Sequence, residues 1–506
     1  MDMLARVQSF VLQGIEPAPC EVEVDVATSG LPKTTVVGLP DTAVKESAER
    51  VRSAMINSGY GFPDARILIG LAPADTLKTG PVYDLPIAVG LLRARGELRS
   101  DDHADLLFAG ELALDGRLRP VNGVINLALL ARRNGCRGVV VPAANAAEAS
   151  AVGGVQVFAA DTLSQVVGFL NAVDVIAPFP EPNLDAELDA GSAALDFADI
   201  RGQEGVKRAM TIAAAGNHNI LMIGPAGTGK SMSAKALPGI LPPLSRDEAL
   251  EVTRIYSAIG QVPPGRALLT ARPVRSPHHT ASPVAVVGGG SHPRPGEVSL
   301  AHHGVLFLDE MPEFPRSVLE TLRQPMEDGQ VTIARAQGTV RFPAQFQLVA
   351  AMNPTPKGDK PTDDVSQRQM DRYLAKISGP LIDRIDLHVE VPPVPFAQLS
   401  GGRSGTDSAT LRSRVVAARA VQAQRNGGPL RTNRTLNGRE LDRLAALPPD
   451  AAELLKQAMT DLGLSARAYD KVRRVARTIA DLEQSPAVAL PHVAEAVQYR
   501  LLDRQA

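Results

Sequence analysis

Tryptophan is absent from this chain of 506 residues, and other aromatic rings are few, with 12 Phe and 6 Tyr. Base stacking on aromatic platforms is therefore not expected, and any grip on nucleic acid would rest on phosphate contacts. Cysteine is almost missing as well. Cys20 and Cys136 cannot build a disulfide framework or a four-thiolate zinc site, and they fit a reducing cytoplasm. No apolar run reaches the ~18 residues a membrane helix needs, so no membrane partner is expected. The first twenty residues have a short apolar run and an early Glu16, and do not read as a secretory signal. Excess charge of one sign is lacking too. With 53 Lys plus Arg against 55 Asp plus Glu, the net charge is −2, which excludes a basic coat over the whole chain but not a local patch.

What is present is an ordinary globular composition, 44% hydrophobic and 21% charged. The length predicts about three domains at ~150 residues each. Residues 1–175 interleave short strand-like runs (22–26, 34–37, 66–71 and 138–141) with a helical pattern over 41–58. There Asp41 is placed to cap the helix, and Val44, Ala48, Val51 and Met55 fall on one face. Strands alternating with helices predict an α/β or α+β domain. Residues 176–195, rich in proline and then in small and acidic residues, read as a semi-rigid linker. Residues 196–393 form a strand–loop–helix unit. Residues 394–506 read as mostly helical after a Gly/Ser-rich stretch at 400–405. From 401 onward 17 Lys/Arg face 11 Asp/Glu, so the positive charge gathers in the last fifth of the chain.

The second unit carries the chemistry. Gly224, Pro225, Ala226, Gly227, Thr228, Gly229, Lys230 and Ser231 spell G-x-x-x-x-G-K-S between a short apolar run (219–223) and a helical segment. This strand–loop–helix order is that of a phosphate-binding P-loop. Its backbone N–H groups face phosphates, Lys230 neutralises the β- and γ-phosphates of ATP, and Ser231 ligates Mg²⁺. Val305-Leu-Phe-Leu then ends in two adjacent carboxylates. Successive side chains on a strand diverge, so Asp309 is expected to hold Mg²⁺ and Glu310 to activate the attacking water. A third apolar run, 347–351, leads to Asn353, whose amide is placed to orient that water. Arg384 lies between Asp383 and Asp386. Taken alone it is either a residue reaching a neighbouring subunit's nucleotide or a surface ion-pair partner.

These residues resemble AAA+ ATPases of the helix-2-insert kind, specifically the Mg-chelatase-like YifB/ComM family. The likeness runs over nearly the whole chain, most specifically in Ser276-Pro-His-His-Thr280, Pro295-Gly-Glu-Val-Ser-Leu-Ala-His-His-Gly304, 381–391 and Leu464-Ser-Ala-Arg-Ala-Tyr-Asp470. The resemblance implies that Asn353 is sensor 1, that Arg384 is an arginine finger acting in trans, and that Arg467 is sensor 2. Arg474, two helical turns on, is expected to assist. ATP is then expected between lid and core, in a ring implied to be a hexamer, completed by the neighbour's Arg384. Residues 329–338 are similar to the pre-sensor hairpin of the replicative MCM helicases, which makes Arg335 a candidate DNA contact. Arg275, His278 and His279 are candidates on a second pore loop. The pairs His278/His279 and His302/His303 are assigned to loop or nucleic-acid contact ahead of metal binding, because adjacent histidines rarely share a face. Many family members carry cysteines after the sensor asparagine; 354–369 has none here, so no zinc site is expected there.

The first domain resembles the proteolytic domain of the Lon family, a ribosomal S5 domain 2-like fold. Val82 falls where the catalytic serine is expected and Ile125 where the lysine is expected. A Ser–Lys pair needs a hydroxyl and a base, so peptidase activity is not expected. The implied whole is a Lon-protease-like α/β domain, an AAA+ P-loop core with a parallel sheet, and a C-terminal helical lid. The implied function is a cytoplasmic, ATP-driven ring motor on single-stranded or branched DNA, of the branch-migration kind used in recombination and natural transformation, with a recombinase as a further partner. A chelatase-like ATPase and a nucleotide-switched scaffold acting on a protein partner remain as alternatives.

Overall fold

The computed structural model describes residues 4–27, 31–98, 104–183, 195–335, 338–354, 373, 376–395 and 405–500. The chain packs into two compact units. One joins Met1–Asp189 to Ser245–Thr270, and the other joins Ala190–Leu244 to Ala271–Ala506.

The first unit is built on a seven-stranded sheet. β1 (Leu4–Gln13) and β2 (Glu16–Val26) form an antiparallel hairpin whose two-residue loop opens with Gly14 at φ 70°. A tight hairpin favours glycine there, because only glycine adopts positive φ without steric cost. β3 (Lys33–Val37) and β4 (Arg66–Ala72) extend one side. On the other lie β5 (Leu106–Phe108) and, after a small ribbon of β6 (Glu111–Leu112) and β7 (Leu118–Arg119), β8 (Gly138–Pro142) and β9 (Gln156–Ala160). The order is β3-β4-β2-β1-β5-β8-β9. All five residues of β8 are buried, as an inner parallel strand requires.

The expected helix spans Thr42–Asn57. Its Asp41 cap accepts from the Val44 N–H at 2.8 Å, and Ser47 rather than Ala48 completes the buried face. At the centre of this unit the fully buried Asp84 takes a bidentate grip from Arg50 (2.8 and 3.0 Å) and a backbone N–H from Leu112 at 3.2 Å. Burial alone would raise the Asp84 carboxyl, and these donors work against that rise.

The helix Arg246–Ala258 lies in sequence within the second segment but packs in the first unit. It starts at a capping box in which Ser245 and Glu248 satisfy each other's backbone N–H groups (3.2 and 2.9 Å). Its far end meets the helix Val124–Arg133. Arg254 and Asn126 exchange two hydrogen bonds (3.0 and 3.3 Å), Ser257 donates to the buried Glu148, and Glu148 also accepts from the Ile125 N–H at 3.0 Å. The ATPase segment expected over 196–393 is therefore interrupted at 245–270. Of the expected linker, 176–183 carries no regular structure, and the Phe179 N–H donates to the Val157 carbonyl at 2.7 Å; 184–194 lie outside the described residues.

The second unit holds β10 (Ile220–Ile223), β11 (Val274–Arg275), the short pair β12 (Gly288–Gly289) and β13 (Arg294–Pro295), β14 (Val305–Leu308), the hairpin β15 (Gln330–Arg335) and β16 (Gly338–Pro343), β17 (Gln347–Met352) and β18 (Leu387–Glu390). Five of these make a wholly parallel sheet in the order β11-β14-β17-β10-β18. The segment expected to form a helical lid contains the helices Ser408–Asn426, Pro449–Leu462, Ala466–Leu482 and Leu490–Gln498. It is not a separate body: Val415, Val472, Val475, Ile479 and Val493 share one hydrophobic cluster with Met210, Ile220, Val349 and Leu387. The Gly/Ser-rich stretch before it is undescribed up to 404. Among the described residues no helix is long and apolar enough to cross a membrane.

Candidate active site

Three parallel strands deliver their C-terminal ends to one place. β10 leads into the P-loop, β14 into Asp309 and Glu310, and β17 into Asn353. Gly224 is fixed by contact, since a Cβ there would meet the Val391 carbonyl oxygen at 2.2 Å. Gly227 and Gly229 turn the loop at φ 77° and 92°. Thr228 ties the loop internally, its hydroxyl donating to the Pro225 carbonyl at 2.9 Å. Lys230 is 7% exposed, and its Nζ donates to the carbonyls of Gly224 (2.5 Å) and Pro225 (2.7 Å) and to Asn353 Oδ1 (3.1 Å). Burial pushes its pKa down, against the pull of Asp309 and Glu310. Ser231 Oγ donates to Asp309 Oδ2 at 2.7 Å.

The P-loop, Ser231, Asp309 and Asn353 thus come together as the sequence places them. The donor set suits a magnesium nucleotide: one hydroxyl and one carboxylate in contact, both hard oxygen ligands, beside a cationic lysine and a glycine-rich loop. The two carboxylates diverge because the chain turns sharply between them. Glu310 has left-handed backbone geometry, φ 51°, and its N–H donates to Asp309 Oδ1 at 3.1 Å. A non-glycine residue held at positive φ is locally strained, and such positions concentrate at functional sites.

His279 Nδ1 lies 4.0 Å from Glu310 Oε2, and its ring meets Phe314 edge-on. The rings of His278 and His279 lie 4.1 Å apart between centroids, tilted by 33°, and those of His302 and His303 lie 3.9 Å apart, tilted by 41°. Adjacent histidines do share a face here, contrary to the sequence-based expectation, because local backbone turns override strand alternation. Arg275 is held in a bidentate pair with Glu297 (2.6 and 2.8 Å), so its guanidinium serves the edge of the sheet first. The hairpin expected over 329–338 runs further, to Pro343, so that span covers β15 and only the start of β16; the pair stands immediately before β17, and the Arg335 side chain lies outside the described residues.

Arg384, Arg467 and Arg474 are elsewhere. They line a cavity of about 730 Å³ together with Asn219, Glu327, Asp383, Asp386, Arg434 and Lys471, and no P-loop residue lines it. Arg384 bonds Glu327 and, at 2.6 Å, the Pro380 carbonyl. Arg467 pairs with Asp383 at 3.6 Å, and Arg474 donates to the Leu436 carbonyl at 2.9 Å. Asn219 and Asp386 immediately precede β10 and β18, so this cavity opens at the N-terminal ends of the strands whose C-terminal ends carry the P-loop. Arg467 sits beside Arg384, at the opposite end of the sheet from its own P-loop, because the lid helix is anchored next to Asp386.

Sequence reading missed Asn219, Asp386 and Lys471, all buried at this second place. Their signals were available: an asparagine just ahead of an apolar strand, the second acid of D-R-I-D, and a lysine one helical turn beyond Arg467.

Comparison with known proteins matches the same segments. The family models described as magnesium chelatase, subunit ChlI; subunit ChlI of Mg-chelatase; and magnesium chelatase, subunit ChlI C-terminal match residues 196–399, 22–145 and 405–500. YifB of Salmonella typhimurium is 45% identical over 504 residues, 99% of this chain and 98% of that protein. Competence protein ComM of Haemophilus influenzae is 44% identical over 505 residues, with the same coverage. YifB of Escherichia coli is 44% identical over 506 residues, again covering 99% and 98%. Such an assignment implies ATP binding and hydrolysis. With three chelatase models along its length and relatives that match it from end to end, the chain belongs to the YifB/ComM family of Mg-chelatase-like AAA+ ATPases.

Proposed function

We propose that this protein is an ATP-hydrolysing ring motor that moves DNA, of the branch-migration kind, working in homologous recombination or natural transformation. The observation that carries the reading is the division of the ATP chemistry between two ends of one parallel sheet. One end offers the phosphate loop, the Ser231–Asp309 pair, Glu310 and Asn353. The other offers Arg384 and Arg467. Strands of four residues separate the ends by roughly 13 Å at ~3.3 Å per residue, so the arginines serve a neighbouring subunit's nucleotide better than their own. A closed ring of identical subunits, each lending arginines to the next, satisfies every site at once.

In that arrangement Lys230 and the loop N–H groups hold the phosphates, and Ser231 and Asp309 hold magnesium. Glu310 takes a proton from the attacking water, Asn353 orients it, and Arg384 balances the charge that develops on the transferring phosphoryl group. Magnesium, when bound there, would supply positive charge against the phosphates. The hairpin with Arg335 at its tip is the part that touches DNA. The name of the Haemophilus relative supports the link to competence. In the first unit Val82 and Ile125 offer neither hydroxyl nor amine, which favours a scaffolding or DNA-binding use of the Lon-like fold over peptide hydrolysis.

The test is ATP turnover of the purified protein with and without single-stranded and branched DNA, at low and moderate salt. Stimulation by DNA that is lost in Arg335→Ala supports the motor. Turnover indifferent to every DNA transfers the reading to an ATPase that acts on a protein partner.

A further inference from the structure

The cavity that holds Arg384 and Arg467 is framed by buried polar groups that the proposed chemistry does not use. Asn219 is 1% exposed, and all its polar atoms are engaged. Its N–H donates to Asp386 Oδ2 (2.9 Å), and its carbonyl accepts from the N–H groups of Asp386 and Leu387 (3.0 Å each). Its side-chain amide donates to the Arg384 carbonyl (3.1 Å), and its Oδ1 accepts from the Leu348 N–H (2.9 Å). One side chain thus ties the roots of β10 and β17 to the backbone of Arg384.

Asp386 is met from the lid by Lys471 at 3.2 Å, and Lys471 also donates to the Ile385 carbonyl at 3.0 Å. Arg500 donates to that same carbonyl at 2.7 Å. Lys471 follows Arg467 by four residues, one turn of the helix Ala466–Leu482, so the two share a face. Two chemically unlike segments, one bearing each cavity arginine, are therefore joined by one buried ion pair. Such a pair adds little net stability, but its geometry is unforgiving because neither charge can turn to water.

We infer that Asp386 and Lys471, with Asn219 behind them, are positioning residues that set Arg384 and Arg467 at a fixed separation, so that both reach one nucleotide on the neighbouring subunit. The inference rests on the trans reading of those arginines. It adds that their spacing is set by the Asp386–Lys471 pair and not by contacts of the guanidinium groups, which lie partly exposed against Glu327 and Asp383. The role is exerted entirely on the next subunit: the pair leaves its own chain's P-loop untouched and governs turnover next door.

Subunit mixing reads this directly in the full-length protein. Lys471→Met should lower ATP turnover about 10- to 100-fold, the scale of a misplaced catalytic group, with affinity for a fluorescent ATP analogue unchanged. Glu310→Gln subunits, inactive at their own P-loop but with intact arginines, should restore turnover when mixed with Lys471→Met subunits. Lys471→Arg should keep most activity. If the mixture is no more active than its components while an Arg384→Ala plus Glu310→Gln mixture does recover, Lys471 serves folding alone and the inference is overturned. If Arg384→Ala turns over ATP normally, the trans reading itself fails and takes the inference with it. Asp386→Asn, of nearly the same shape, gives the same comparison should Lys471→Met not fold.

Discussion

Glu310 occupies a backbone conformation that few side chains tolerate, and its neighbour Asp309 already bonds Ser231. This separation of duties predicts distinct phenotypes. Glu310→Gln keeps the shape and removes the base, so bound ATP should persist while turnover falls about 10²- to 10⁴-fold; single-turnover hydrolysis beside analogue binding checks this. Lys230→Ala removes the cation that closes on the loop, and should instead abolish detectable binding of the same analogue. In the first unit, Arg50→Met would leave the buried Asp84 carboxylate without its partner. A loss of about 3–5 kcal/mol is expected in urea unfolding followed by probes in that unit, the usual cost of stranding a buried charge.

At the scale of elements, the lid helix Ala466–Leu482 and the segment before β18 matter together. The P-loop, the strand ending in Asp309 and the strand ending in Asn353 were legible in the sequence, because a short apolar run followed by a fixed polar tip is a local pattern. The helix over Thr42–Asn57 was legible for the same reason, through its cap and its periodicity. β1 was not legible as a strand, since Phe10, Val11 and Leu12 run together and blur its alternation. The placement of Arg467 beside Arg384 could not be read, because spacing along a helix fixes the face a residue occupies but not which end of a distant sheet that face meets. The buried bonds of Asn219 were equally silent, being formed between strands far apart in sequence. The hairpin makes its own prediction at this scale. If Arg335 contacts phosphates, Arg335→Ala should lower DNA affinity and flatten its salt dependence by about one counterion per site occupied, read by titration at two salt concentrations.

For the molecule as a whole, part of the acid sensitivity follows from two imidazoles. His218 and His388 are completely buried in the second unit, and burial is the first cause holding both below the ordinary 6.5, His388 far below. The folded protein keeps them neutral, whereas the unfolded chain takes up protons as pH falls through 6.5. Their contribution to stability is therefore complete above that pH and declines below it, by at most about 1.4 kcal/mol per pH unit for each group. His388→Gln should make the decline between pH 6.5 and about 5 shallower, measured by thermal unfolding at matched ionic strength. An unchanged slope would remove His388 from the account.

The helix Arg246–Ala258 has a practical consequence for anyone who wishes to take this protein apart. The backbone leaves one unit for the other at 189/190, returns at 244/245 and leaves again at 270/271. No single cut in the gene separates the two. A fragment that stops at 189 would expose the apolar flank of Val124–Arg133 and leave Glu148 without the hydroxyl of Ser257. A fragment that starts at 190 would carry 245–270 as an amphipathic strand of chain with nothing to cover it. Clean dissection calls for grafting that stretch onto the end of the first piece and bridging its gap in the second with a short flexible link. Failure of simple truncations to stay soluble would report this wiring and not a lack of autonomy in either part.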